Sequence, residues 1–257
     1  MPFVLTEDDC EIYYETSGHG PAVAFAPGFM GITDIWRSQM EALSSRYRCI
    51  AFDNRGAGRS DKPVPRIRYG VERHAADLAL VLDHAGVERT VLIGHSMGGN
   101  TACRFHGSHP QRVAGIVFIG SYVSGAQIAG IGNTIDRIRD AVTMKAQRIA
   151  FYRSVGLPED IAMEAAKWPL YAVLGNAESF MAFDGAAQLP HIRVPCLIIH
   201  GSNDIVSPYE PCGTELAALL PDVEVELLDG VNHCPMTERP EATNERLLRF
   251  LEQRIEW

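Results

Sequence analysis

Gly94-His95-Ser96-Met97-Gly98 places a serine inside a G-x-S-x-G pentapeptide, preceded by the apolar run Thr90 to Ile93 and followed by a helical stretch. A strand-to-helix turn this tight strains the serine backbone and pushes its hydroxyl into the open, and only glycine lets the neighbouring elements come so close. A serine hydroxyl is a poor nucleophile near neutral pH, so a base must take its proton and a third group must hold that base. Of the nine histidines, His74, His84, His106 and His109 sit on or beside helices, His19 lies in an early turn, and His191 lies in the connection before a strand. His95 is the variable residue of the pentapeptide, and His200 ends an apolar strand, where a structural hydrogen bond suffices. His233 differs, because its loop, Asp229 to Pro235, joins the last strand to the last helix. Asp204 follows the preceding strand, so both fall where loops leave strand carboxyl ends and sites collect. Ser96, His233 and Asp204 are thus the candidate nucleophile, base and orienting carboxylate. Plainer readings stand beside them: a glycine-rich turn that binds phosphate at a helix amino end, and an aspartate that shapes a turn next to Asn203.

Positioning three such groups requires a rigid frame, and the rest of the chain supplies its pattern. Phe3 to Thr6 and Glu11 to Thr16 read as two short strands followed by the turn-forming run Ser17 to Pro21. After them the apolar runs Ala22 to Ala26, Cys49 to Phe52, Thr90 to Ile93, Val113 to Ile119, Cys196 to Ile199 and Val223 to Leu228 recur with helical segments between most of them. Apolar strands alternating with helices imply a mostly parallel sheet covered on both faces, an α/β fold. Val71, Ala75, Leu78, Leu82 and Ala85 fall at helical spacing with Gly86 placed to end the helix. Ser207-Pro208-Tyr209-Glu210 reads as a capping box that starts another. Between the strands at Val113 and Cys196 lie some seventy residues, in which Ile135 to Tyr152 and Pro158 to Trp168 look helical. A small helical lid over about residues 122–190, inserted into a single domain of residues 1–257, is the expectation.

With these residues on the page, the chain resembles the α/β-hydrolase fold superfamily from Ala22 to the last helix. Asp53-Asn54-Arg55-Gly56-Ala57-Gly58-Arg59-Ser60 is similar to its D-x-R-G-x-G-x-S loop, and Val194-Pro195-Cys196 to Asp204 is similar to its V-P-x-L-x-x-x-G-x-x-D segment. The chain order Ser, Asp, His is the one this fold uses. The resemblance implies an eight-stranded sheet and, from Pro27-Gly28-Phe29-Met30, an oxyanion segment in which the backbone N–H groups of Phe29 and Met97 are the donors. Pro27 stands where the family usually has histidine, removing a side chain that braces the loop but no donor. Arg55 is read as holding its own turn. The likeness is nearest to small serine esterases and enol-lactonase-like or cofactor-free haloperoxidase-like members, which implies acyl transfer on a modest ester or lactone with no cofactor and no metal. Carbon–carbon bond hydrolysis, amide hydrolysis, acyl transfer to another acceptor and a ligand receptor with little turnover use the same frame. Serine at the elbow speaks against dehalogenase and epoxide-hydrolase chemistry, which needs aspartate there.

Composition narrows the partners. The formal charge of −9 arises from 32 acidic and 23 basic residues without long runs, so neither nucleic acid nor an anionic membrane is an expected partner. The uncharged stretch Val113 to Ile135 has a membrane span's length, but its five glycines and its polar residues dilute it too far. The start, MPFVLTEDDC, lacks the pattern of a secretory signal, and six cysteines without a C-x-x-C pair suit reduced thiols in the cytoplasm. Cys234, beside His233, is also weighed as a reactive thiol. Phe29, Met30, Tyr122, Trp168, Tyr171, Phe180 and Phe183 are candidate pocket aromatics, with core packing as their commoner fate. Oligomeric state leaves no readable trace.

Overall fold

The computed structural model describes residues 2–29 and 31–257; Met30 lies outside the described residues. Eight strands, β1 (Phe3–Leu5), β2 (Glu11–Ser17), β3 (Ala22–Ala26), β4 (Arg48–Phe52), β5 (Thr90–His95), β6 (Val113–Ile119), β7 (Cys196–Gly201) and β8 (Val223–Leu228), form one sheet. Its order is β1-β2-β4-β3-β5-β6-β7-β8. The first two strands run antiparallel to their neighbours and the rest pair in parallel. β3 and β6 are buried at every residue, which is why they read as unbroken apolar runs instead of alternating ones. The stretch from Val113 to Ile135 is a sheet strand and a loop, as expected, but the loop then gives way to a short helix, Gly125–Gly130, and among the described residues no helix is long and apolar enough to cross a membrane.

The helices are α1 (Arg37–Leu43), α2 (Val71–His84), α3 (Met97–Ser108), α4 (Gly125–Gly130), α5 (Ile135–Thr143), α6 (Lys145–Ser154), α7 (Glu159–Ala165), α8 (Leu170–Ala182), α9 (Thr214–Leu219), α10 (Pro235–Glu238) and α11 (Pro240–Gln253). Two apolar clusters cover the sheet's faces: Leu78, Val81 and Phe105 belong to one, and Trp36, Leu247 and Phe250 to the other. Five helices, α4 to α8, fill the connection between β6 and β7. The run Ile135 to Tyr152 breaks at Met144, whose backbone is extended (φ −96°, ψ 136°), so it forms two helices where the spacing suggests one.

The expected capping box at Ser207 does not form. Glu210 is non-helical (φ −97°, ψ 111°) and the helix proper begins at Thr214. The Ser207 hydroxyl donates instead to the Gly120 carbonyl at 2.8 Å, so a long-range partner overrides a local signature.

Candidate active site

The reversal of strand order lies at β3 and β5, adjacent parallel strands whose carboxyl ends release Gly28-Phe29 and Ser96 side by side. Crevices at such points are the natural site of an open α/β sheet. Ser96 has φ 52° and ψ −118°, a positive φ that a side chain normally avoids. Its neighbours explain how the turn closes. A Cβ on Gly94 would come within 2.4 Å of the Gly98 carbonyl oxygen, and one on Gly98 within 2.0 Å of the Ala26 carbonyl oxygen. The elbow is fixed by Ser96 N–H donating to Ile119 O at 2.8 Å and Gly99 N–H donating to Ser96 O at 2.9 Å. Gly28 lies against it: a Cβ there would come within 2.6 Å of His95 Nδ1 and 2.9 Å of the His95 carbonyl oxygen.

His233 is held from both sides of its loop. The Glu238 carboxylate accepts from the Asn232 and Cys234 amides, each at 3.1 Å, and from the Asn232 side chain at 2.6 Å. Its Nδ1 lies 2.8 Å from Asp204 Oδ2. Asp204 is itself buried and over-determined: Oδ1 accepts from the Val206 and Ser207 amides at 2.8 and 3.0 Å, and Oδ2 accepts from Ser207 Oγ at 3.1 Å. His200 Nε2 stands 3.4 Å from the same oxygen. Burial works against the Asp204 charge, but the charges and hydrogen bonds of His233 and His200 outweigh it and hold the carboxyl well below the usual carboxylate range.

Ser96 and His233 open onto one cavity of about 340 Å³. Among the described residues no hydrogen bond yet joins the Ser96 hydroxyl to His233 Nε2, a looseness common at such pairs before a ligand binds. Phe29 also lines the cavity, and Met97 opens α3 beneath it, packed in the cluster that Phe29 touches. Neither backbone N–H donates to an acceptor among the described residues, and the first amides of a helix are in any case unclaimed within it.

Three residues near these groups carry no signal of their own in the sequence. His95 Nε2 donates to the His233 carbonyl at 3.0 Å, and the two rings lie 4.8 Å apart. Burial pushes its pKa down to about 3, so it braces the His233 loop as a neutral donor. Ser207 holds Asp204 as described, and His200 Nε2 donates to the Ser207 carbonyl at 2.5 Å. No spacing rule links His95 to a residue 138 positions away, and the capping-box pattern masks Ser207. Burial raises the Cys234 thiol well above its ordinary value, which speaks against a reactive thiol there.

Arg55 donates to both oxygens of Asp77 at 2.7 and 2.6 Å and also to Asp8, holding its turn away from the cavity. Of the candidate aromatics, Phe29, Tyr122 and Phe180 line the cavity, whereas Trp168 and Phe183 belong to the core clusters and Tyr171 donates to the Lys62 carbonyl.

Comparison with known proteins agrees with this fold. A family model described as alpha/beta hydrolase fold matches residues 21–146. A putative carbamate hydrolase RutD of Azorhizobium caulinodans is 30% identical over 94% of this chain and 95% of its own. A non-heme haloperoxidase of Rhodococcus erythropolis is 30% identical over 98% and 100%. Among solved structures, Est816, described as an N-acyl homoserine lactone degrading enzyme, superposes with a TM-score of 0.85 at 28% identity, covering 97% of this chain and 100% of that one.

Proposed function

Because this chain belongs to the α/β-hydrolase fold family, we propose that it is a serine hydrolase that cleaves a carboxylic ester or lactone of modest size through an acyl-enzyme. The observation that carries the reading is a serine at positive φ sharing one cavity with a histidine whose far nitrogen meets a buried carboxylate at 2.8 Å. Ser96 Oγ attacks the carbonyl carbon while His233 Nε2 takes its proton. Asp204, accepting the Nδ1–H, fixes the tautomer and stabilises the imidazolium. The Phe29 and Met97 amides donate to the oxyanion, whose loss of one donor costs on the order of a hundredfold in rate. Collapse expels the alcohol oxygen, protonated by His233, and leaves the acyl group on Ser96. A water deprotonated by the same imidazole then releases the acid and restores the serine.

Residues 1–257 act in this reading as a single domain, with 122–190 as its lid. Nine of the cavity's lining side chains are aliphatic or aromatic hydrocarbons from that segment, Ile128, Ile138, Val142 and Phe151 among them, which suits an apolar acyl or alcohol group. A carbamate carbonyl would meet the same nucleophile, and the RutD-type relatives favour testing one. Six unpaired cysteines support a reducing compartment, hence the cytoplasm.

The test is intact mass after a fluorophosphonate probe, with p-nitrophenyl butyrate turnover, on wild type and Ser96→Ala. One adduct and turnover in wild type, with neither in Ser96→Ala, are expected. Folded wild type that is unlabelled and inactive would overturn the reading.

A further inference from the structure

The cavity wall contributed by α5 is one coherent helix face: residues 137, 138, 141 and 142 line it, the i, i+1, i+4, i+5 set that a single helix side presents. Three of the four are Ile138, Ala141 and Val142. The fourth is Arg137, at the exposed end of that face. Apart from the histidines, Arg137 is the lone ionisable cation lining the cavity among the described residues, and no carboxylate lines it.

Arg137 is poorly explained as a structural residue. It occupies the first turn of α5, where the helix dipole disfavours a cation. Its guanidinium has one hydrogen bond among the described residues, to the Gly132 carbonyl at 3.4 Å, and no ion pair. The acid beside it, Asp136, pairs outward with Arg139 at 2.5 Å. A guanidinium with free donors at the rim of an apolar cavity, on a chain of net charge −9, matches a ligand that is apolar for most of its length and anionic at one end.

We propose that Arg137 is a specificity-determining residue that receives a carboxylate carried by the substrate, so that the preferred substrates are half-esters or lactone acids: a scissile carbonyl at Ser96, a hydrocarbon span along Ile138 and Val142, and a distal carboxylate on the guanidinium. This rests on the serine-hydrolase reading above. Arginine suits the task because its planar fork can meet both carboxylate oxygens.

The experiment compares the mono-p-nitrophenyl esters of adipic and suberic acid with their neutral methyl p-nitrophenyl diesters, using wild type, Arg137→Gln, Arg137→Lys and Arg137→Glu. Expected is a kcat/KM ratio of half-ester to diester that favours the half-ester in wild type and falls about tenfold in Arg137→Gln, the size of one charge-assisted hydrogen bond. The change should sit in KM, be partly restored by lysine, be inverted by glutamate, and shrink as salt is raised. If wild type turns over the diesters but the ratio is indifferent to residue 137, this inference is wrong and the hydrolase reading stands. If wild type turns over neither ester and takes no fluorophosphonate, the hydrolase reading fails and this inference falls with it.

Discussion

Arg55, between the β4 loop and α2, is 1% exposed, and Arg148, among the inserted helices, is 2% exposed, yet they are satisfied in opposite ways. Arg55 meets two carboxylates, Asp77 through both oxygens and Asp8. Arg148 meets only carbonyls among the described residues: Val142 at 2.8 Å, Trp168 at 2.9 Å and Ala165 at 3.3 Å. Val142 lies in the last turn of α5 and Ala165 ends α7, so those oxygens are helix-end acceptors at the negative pole of each dipole, the Ala165 oxygen also accepting a long bond from the Trp168 amide at 3.4 Å. Under the sheet, charge is neutralised by charge, and removing either partner strands the other in a medium that cannot solvate it. In the insertion, a single cation fastens three short helices by their ends, and removing it leaves only neutral acceptors that water can reach once the helices part. The difference separates a part of the molecule that must stay whole from a part that can loosen alone.

Three measurements would break or sharpen that distinction. The largest effect belongs to Arg55→Met, which leaves Asp77 buried without a counter-charge; a loss of about 3–5 kcal/mol in global unfolding free energy is expected from urea titration. Arg148→Met should cost less, roughly 2 kcal/mol for its orphaned carbonyls, and hydrogen exchange should show faster exchange across 135–168 with strand amides unchanged. Equal exchange throughout the chain in that variant would end the distinction.

The third measurement varies pH, and its effect is smallest per unit of the variable changed. His74, buried near Arg55, is pushed by burial and by the Arg55 charge from 6.5 down to about 3. It therefore stays neutral in the fold, while the unfolded chain takes up its proton as pH falls through 6.5. Protonation favours the unfolded state across that interval, so stability should fall by about 1.4 kcal/mol per pH unit from this residue between those limits. His95, also near 3, adds the same slope. The insertion contains no histidine between residues 122 and 190, so acid should weaken the sheet and leave the insertion's own exchange untouched. A His74→Leu variant with an undiminished slope would show that another group carries it.

What could be read in advance follows the same divide. The sheet and the Ser96 elbow rest on local rules, apolar runs and glycines around a turn, and β5 and α3 lie where the pentapeptide requires them. Asp204 and His233 were legible because strand ends mark where loops emerge. The break at Met144 was not, since Ile135 to Tyr152 keeps helical periodicity throughout and the helix end at Val142 is claimed by Arg148, six residues on in another helix. At Ser207 the converse holds: a sound local capping pattern gives way to a carbonyl 87 residues away. Arg137 showed only as one charge among many until the fold turned its face toward the cavity.

The cysteines give this architecture a built-in gauge. All six are unpaired and buried, and burial above all pushes Cys10 up to about 11 and Cys49, Cys103, Cys196 and Cys212 up to about 12, with neighbouring carboxylates adding to the rise at Cys10, Cys196 and Cys212. None lies between 122 and 190. An alkylating reagent at Cys10 and Cys49 therefore hears only the parting of the sheet, whereas Cys234, which lines the cavity, and Cys103, beside Gln188, also hear residues 122–190 move, so the native chain carries its own graded alarm without an added label.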